Sequence, residues 1–423
     1  MRAIQLFVLF CAMLLIPINC QAADSLQAQI DAAPENGTIQ LHKGIYNEAI
    51  TISRPVTIEG TDGTVIRSCS KDPVVSIKGQ NATLKNITIV QCSKEKGVSA
   101  LYVTGTGHTL DQLDIQTEQF GIKMDHALET KVQNISLVGT NKGNGIDLWE
   151  SSGNMITDVS IHKARDGIYL ENSHANTLLR NSISDSRYGI HLMFSNGTKL
   201  LRNHSYHNIT GAMVMGTKQT TIEHNILSFN QKNVNAQGLL LYDATDTTVL
   251  NNDISYNRVG AYIENAEANV MKQNEVRGNF IGIQLKKART NTVAINTFIG
   301  NAYDAQAIDS SHNTIERNYW DTSWKLDTNG TGISKLPYRA DPFFLTLTSE
   351  VPEYQLFFQA PGMIVLQKLL KSPDELLLVD QTPSVSATVH KQAIKSPANE
   401  LWVTSIGMIL TSIILFFIGR KRI

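Results

Sequence analysis

From Gly121 onward the chain alternates short apolar runs with polar, turn-forming residues at a fixed interval. The phrase Gly-apolar-x-apolar occurs as GIKM at Gly121, GIDL at Gly145, GIYL at Gly167, GIHL at Gly189, GAMV at Gly211, GLLL at Gly238, GAYI at Gly260 and GIQL at Gly282. The intervals are 24, 22, 22, 22, 27, 22 and 22 residues. A second series, Asn181, Asn203, Asn225, Asn252, Asn274, Asn296 and Asn318, is spaced 22, 22, 27, 22, 22 and 22. Both series absorb the same five-residue insertion near Gln231 to Gln237, so the period belongs to the chain and not to the choice of alignment.

A period near 22 built from short β-type runs and Gly/Asn/Asp/Ser turns is too short for a propeller blade, and it lacks the helical pattern of helix-pair repeats. It predicts an all-β fold, a right-handed parallel β-helix over residues 23–320. Weaker repeats at Val56–Ile66 and Ala82–Ile89 place its start near Thr38 and give ten or eleven coils. Successive coils would stack at about 4.8 Å, with alternate side chains pointing into one continuous core. The Asn series is expected at turns, where Asn tolerates left-handed backbone and its amide can bond the Asn of the next coil.

The second and fourth places of the glycine phrase are apolar in every coil, so the third and fifth face outward. The third place runs Lys123, Asp147, Tyr169, His191, Met213, Leu240, Tyr262, Gln284. The fifth runs Asp125, Trp149, Glu171, Met193, Met215, Tyr242, Glu264, Lys286. His191 is thus the lateral neighbour of Met213, and Met193 of Met215, within a patch of roughly 5 by 7 Å. Thioether and imidazole donors together suit Cu(I) better than Ca²⁺, Mg²⁺ or a structural zinc. The same stripe, with Trp149, Tyr169, Tyr242 and Tyr262, also reads as a landing surface for a partner or for the chain's own C-terminal segment. Both readings stand on the sequence alone.

The flanks change the picture of where this wall sits. Arg2, an apolar stretch and Asn-Cys-Gln-Ala fit a signal peptide over 1–22. Lipidation at Cys20 is the weaker reading, because Pro17, Ile18 and Asn19 are not the small residues such a site wants. Residues 401–418 are apolar and are followed by Arg420, Lys421 and Arg422, which predicts one transmembrane helix with 419–423 as a cytoplasmic tail. The alternative is a C-terminal helix packed on the protein's own core. Export leaves two cysteines, Cys69 and Cys92, in matching phrases 23 residues apart. One coil of separation brings them within disulfide reach, and an exported protein favours that pairing over a thiolate metal pair.

Residues 321–400 read as a cap or docking segment and a polar tether. Within them Asp327 and Asn329 resemble a calcium loop with too few ligands, so a plain turn is the favoured reading. Lys plus Arg (37) nearly balances Asp plus Glu (38), with no basic run, which excludes a nucleic-acid partner on electrostatic grounds.

The phrases RDGIYLENS, YGIHLMFS, the GAMVM coil, the closing NYWD, DTNGTGISKLPYR and the later FFQAPGMIVLQKLL together resemble the NosD family of nitrous oxide reductase maturation proteins, from about Leu26 to about Val385. That family's His and Met after consecutive coil glycines are matched by His191, Met193, Met213 and Met215. The apparent C-terminal span departs from the soluble members. The resemblance implies a copper-handling role outside the membrane, beside an ABC-type transporter made of an ATPase and a membrane subunit. It further implies a copper chaperone as supplier and nitrous oxide reductase as recipient, and a carrier in place of a catalyst. The competing reading is a carbohydrate-active lyase, epimerase or hydrolase on acidic polysaccharide. Its best carboxylates are Asp125, Asp147 and Glu171, beside Lys123 and Tyr169.

Overall fold

The computed structural model describes residues 25–342, 372–373 and 377–387, with positions 347, 351, 354, 362, 365 and 369 between them. All belong to one compact unit. Each regular coil carries one six-residue strand and two three-residue strands, as in Asp166–Glu171, Thr177–Leu179 and Ser182–Ser184. Each strand pairs in parallel with its counterpart one coil on, as Tyr188–Met193 does with Thr210–Met215. The long strands build a 12-stranded sheet and the short ones a 24-stranded sheet that bends around the other sides.

Inward columns such as Ile168–Ile190–Ala212 and Leu170–Leu192–Val214 are almost fully buried. The glycine of each phrase is required by close approach. A Cβ built at Gly189 would lie 2.6 Å from the Gly211 carbonyl oxygen and 1.9 Å from Ser205 Oγ. The Asn series forms a ladder in which each backbone N–H and Nδ2 donates to Oδ1 of the Asn one coil on, as Asn181 does to Asn203 at 3.0 Å for both bonds. The left-handed residue is not the Asn itself but the one before it: Arg180, Arg202, His224, Asn251, Gln273, Ile295 and Arg317 all have φ of 54–57°.

Both ends are closed. At the start, the helix Leu26–Ala32 buries Leu26 and Ile30; the Ser25 side chain accepts from Ala28 N–H, and Glu48 accepts from Leu26 N–H at 2.7 Å. At the far end, Tyr338–Ala340 and Leu378–Asp380 pair antiparallel. Trp320 is stacked between Phe298 and Tyr338, with centroids 4.2 Å apart on each side. Asp380 receives the last donors of the Asn ladder, from Asn318 N–H at 3.0 Å and Asn318 Nδ2 at 3.3 Å.

Two parts of the expected fold need correction. The 12 long strands exceed the ten or eleven coils read from the repeat. The irregular first coils hide their period, and Asp304 stands in the glycine column of the last long strand, Tyr303–Ile308. The expected architecture also included a transmembrane helix. No helix among the described residues is long and apolar enough to cross a membrane. The segment 401–418, like 1–22 and 419–423, lies outside the described residues, so the fold is stated without a span.

Candidate metal centre

Cross-strand pairing brings the predicted donors together. His191 lies in register with Met213 and Met193 with Met215, so four donors occupy two adjacent strands at the spacing of a β-sheet. The three methionines are half-buried on the outer wall. His191 departs from expectation: it faces the wall yet is only 7% exposed. Its ring is flanked by Tyr169 at 4.9 Å and Tyr188 at 4.8 Å between centroids.

Its two nitrogens have different surroundings. Nδ1 lies 3.1 Å from Asp166 Oδ2, while Nε2 is buried without a hydrogen-bond partner. Asp166 is clamped by Arg187, whose Nε and terminal nitrogen donate at 2.8 and 2.7 Å. Burial works to raise the Asp166 carboxyl, but hydrogen bonds from His191 and Arg187 outweigh it and hold the group below its ordinary value. An ionised carboxylate only accepts, so Nδ1 carries the proton, and in the neutral ring the lone pair falls on Nε2.

Tyr169 links this histidine to the thioethers. Its hydroxyl donates to Glu171 through a short hydrogen bond and also lies 3.4 Å from Met193 Sδ. One phenolic proton serves one acceptor, so the Glu171 bond leaves the Met193 sulfur free to donate electrons. Burial raises the Tyr169 hydroxyl further above its ordinary value, and Glu171 adds to the shift. Burial likewise raises Asp147, partly offset by the Asn144 amide at 2.9 Å.

Sequence reasoning missed Asp166, Arg187 and Tyr188, because strict alternation from Ile168 would send Asp166 inward. The glycine breaks that alternation. A Cβ on Gly167 would meet the core side chain Ile183 at 2.3 Å, so Gly167 and Ile168 face inward in succession and the residue before them turns out. The surviving signal was the phrase RDGIYLENS itself, which holds Asp166 two residues before Ile168.

Of the predicted partner surface, Trp149 is 45% exposed, whereas Tyr169, Tyr242 and Tyr262 are half-buried. Phe194, unnoticed in the sequence, follows Met193 with a φ of 52° and is exposed. Cys69 and Cys92 form a disulfide with their Cα atoms 4.6 Å apart. Asp327 accepts from the backbone N–H groups of Asn329, Thr331 and Gly332, with Gly332 at 2.8 Å. Both carboxylate oxygens therefore serve a turn, and Asn329 Oδ1 faces the Thr331 hydroxyl. These are the bonds of a plain turn, the favoured reading of the segment. The carboxylates weighed for polysaccharide chemistry are likewise partnered: Asp125 by Tyr102 at 2.7 Å and His126 at 2.6 Å, Asp147 by Asn144, Glu171 by Tyr169. Among the described residues no cluster of three or more His, Cys, Asp or Glu could hold a metal ion.

The molecule is thus a parallel β-helix whose outer wall carries one oriented imidazole and three thioethers on neighbouring coils. A family model described as "NosD, periplasmic copper-binding protein" matches residues 128–340, half of the chain, and spans all four donors. The chain belongs to the NosD family. A comparison with curated proteins finds no match. Among solved structures, the mannuronan C-5 epimerase AlgE6 A-module of Azotobacter vinelandii is similar at 15% identity, covering 69% of this chain and 87% of that one, TM-score 0.52. PfbA, a surface adhesin of Streptococcus pneumoniae, is similar at 13% identity over 73% and 92%, TM-score 0.51. The pre-mature gene product 12 of bacteriophage phi29 is similar at 10% identity over 67% and 48%, TM-score 0.54. Likeness at such identities is one of fold, and fold alone carries no activity.

Proposed function

We propose that this chain is an extracytoplasmic carrier that holds copper as cargo on His191, Met193, Met213 and Met215. In this reading it receives the ion from a copper chaperone and works with an ABC-type transporter, ATPase and membrane subunit, in building the copper centre of nitrous oxide reductase. The observation that carries the copper assignment is the buried, unpartnered His191 Nε2 on a wall whose next coil presents Met213 and Met215. A buried nitrogen without a partner costs about 1–3 kcal/mol, which a bound cation would relieve. Neutral thioethers and one imidazole select a soft monovalent ion, and the nearby carboxylates of Asp147 and Glu171 favour a positive charge on this wall. The family supports the copper and the compartment; the partners follow from the family resemblance.

The test is a Cu(I) titration of the purified extracytoplasmic part in competition with a chromogenic chelator. The unmodified protein is expected to withdraw Cu(I) from the chelator. The variant Met193→Leu/Met213→Leu/Met215→Leu is expected to lose that ability while keeping its circular dichroism spectrum and melting temperature. Equal affinity in both proteins removes the assignment. Purification from native membranes tests the partners: absence of an ATPase and a membrane subunit among co-purifying chains counts against them.

A further inference from the structure

Three features surround His191 that the donor set itself does not require. Asp166 is 1% exposed and would be an expensive group to bury without partners. It is held by Arg187 in a two-pronged pair at 2.8 and 2.7 Å, and it meets His191 Nδ1 at 3.1 Å. The Arg187 guanidinium in turn lies 4.5 Å over the Tyr188 ring, which packs edge-on against the imidazole. Arg187, Asp166 and His191 therefore form one line that ends at an unpartnered nitrogen.

We propose that Asp166, held by Arg187, is a positioning residue that fixes His191 with its proton on Nδ1 and so makes Nε2 the cargo-binding atom. The inference rests on the copper reading above. A free imidazole divides its proton between two nitrogens and rotates about two side-chain bonds. Here the carboxylate removes the tautomeric choice, and the rings of Tyr169 and Tyr188 remove the rotational one. Carboxylates placed this way behind a metal-binding histidine raise the basicity of the far nitrogen, and losing one weakens metal binding by about 10- to 100-fold. Arg187 has a separate task. Without it, a buried carboxylate beside a bound cation would be free to swing toward the ion, whereas the two-pronged pair keeps both oxygens in place.

The first measurement needs no copper. In ¹⁵N-histidine-labelled protein, with the His191 signal assigned by comparison with His191→Gln, the ring is expected in the Nδ1–H form. Asp166→Ala is expected to shift it to a mixture or to the Nε2–H form. An Nε2–H ring in the unmodified protein overturns the proposal outright, whatever the metal data show. The second measurement is Cu(I) competition. Asp166→Ala is expected to bind about 10- to 100-fold more weakly. Arg187→Gln, which leaves the Asp166–His191 bond possible, is expected to fall between Asp166→Ala and the unmodified protein. If Asp166→Ala unfolds, Asp166→Asn keeps the volume but removes the charge and, with its oxygen toward Arg187, turns an amide N–H donor to Nδ1, so it replaces Asp166→Ala in both measurements. Undiminished affinity in the folded Asp variant, while the triple Leu variant loses copper, overturns the positioning role and leaves the copper reading standing. Failure of the unmodified protein to bind Cu(I) overturns both.

Discussion

A side-chain amide buried in a β-helix turn has to satisfy both its own polar atoms and those of its neighbours. Asn252 does so completely: its Oδ1 accepts from Asn225 N–H at 2.8 Å and Nδ2 at 3.0 Å, and its Nδ2 donates to the Ile222 carbonyl at 2.9 Å. Replacing Asn252 with Ala strands both Asn225 donors and the Ile222 carbonyl on the preceding coil. A stability loss of about 3 kcal/mol in chemical denaturation is expected, and a loss below about 0.5 kcal/mol would show that water replaces the ladder. Asp304 poses the opposite problem, a carboxyl in a place where a polar group has little solvent. Burial raises it to about 6 from 3.8, with Thr322 and Asn301 hydrogen bonds pulling the other way. Between about pH 4 and pH 6 the folded protein keeps a proton that the unfolded chain has released, so stability falls as pH rises through that window and levels off above it. The fall is at most about 3 kcal/mol, and Asp304→Asn should flatten it in pH-dependent melting curves. At this scale the sequence was legible where chemistry recurs with the period. His191 and the three methionines could be named because the third and fifth places alternate away from the core. Asp166 could not, because its outward turn depends on two consecutive inward positions, which no alternation rule anticipates.

Strands and turns repeat, but their boundaries carry different risks. In the first coils the strand spacing drifts: Ile50 pairs with Val75 and Val75 with Leu101, separations of 25 and 26 residues. The Cys69–Cys92 disulfide ties two of these less regular turns together, closing a sequence separation of 23 residues. Closing a loop of that size restricts the unfolded chain by about 3 kcal/mol. The variant Cys69→Ser/Cys92→Ser is therefore expected to melt earlier, with faster hydrogen exchange in Ile58–Ile89 and unchanged exchange beyond Gly238. Uniform acceleration along the whole chain would mean that the coils melt together and that the staple acts globally. The same drift explains why the coil number was underestimated. A glycine phrase marks eight coils, while the earliest strands and Tyr303–Ile308 lack it and pair only through backbone geometry. The cysteine pair was legible because both members sit in the same phrase one coil apart. The helix Leu26–Ala32 was not, since seven residues with two buried positions give too short a pattern to tell from a turn.

A stack of coils behaves as a one-dimensional object in which each coil touches only its neighbours, so its ends are exposed edges that need covering. The C-terminal end is covered twice. Tyr338 extends the aromatic column of Phe298 and Trp320 past the last strand. Asp380 takes the terminal donors of Asn318 and the Trp320 indole N–H at 3.0 Å, a place where only acceptors are needed, which explains Asp in place of another Asn. Replacing Tyr338 and Asp380 together with Ala should open the edge formed by Thr314–Glu316 and Tyr319–Trp320. An open parallel edge offers unpaired N–H and C=O groups to any other edge, so the double variant is expected to sediment as larger, concentration-dependent species than the unmodified protein. Copper should be indifferent to this change. Four long strands, beginning at Gln237, Val259, Ile281 and Tyr303, separate Met213 from the cap side, which at about 4.8 Å per coil is roughly 19 Å. In a molecule where coupling passes only between neighbouring coils, Cu(I) affinity should stay within about twofold of the unmodified value. A variant that associates and also loses copper would show that the coils are not independent, and that the wall around His191 is held in shape by the far end of the stack.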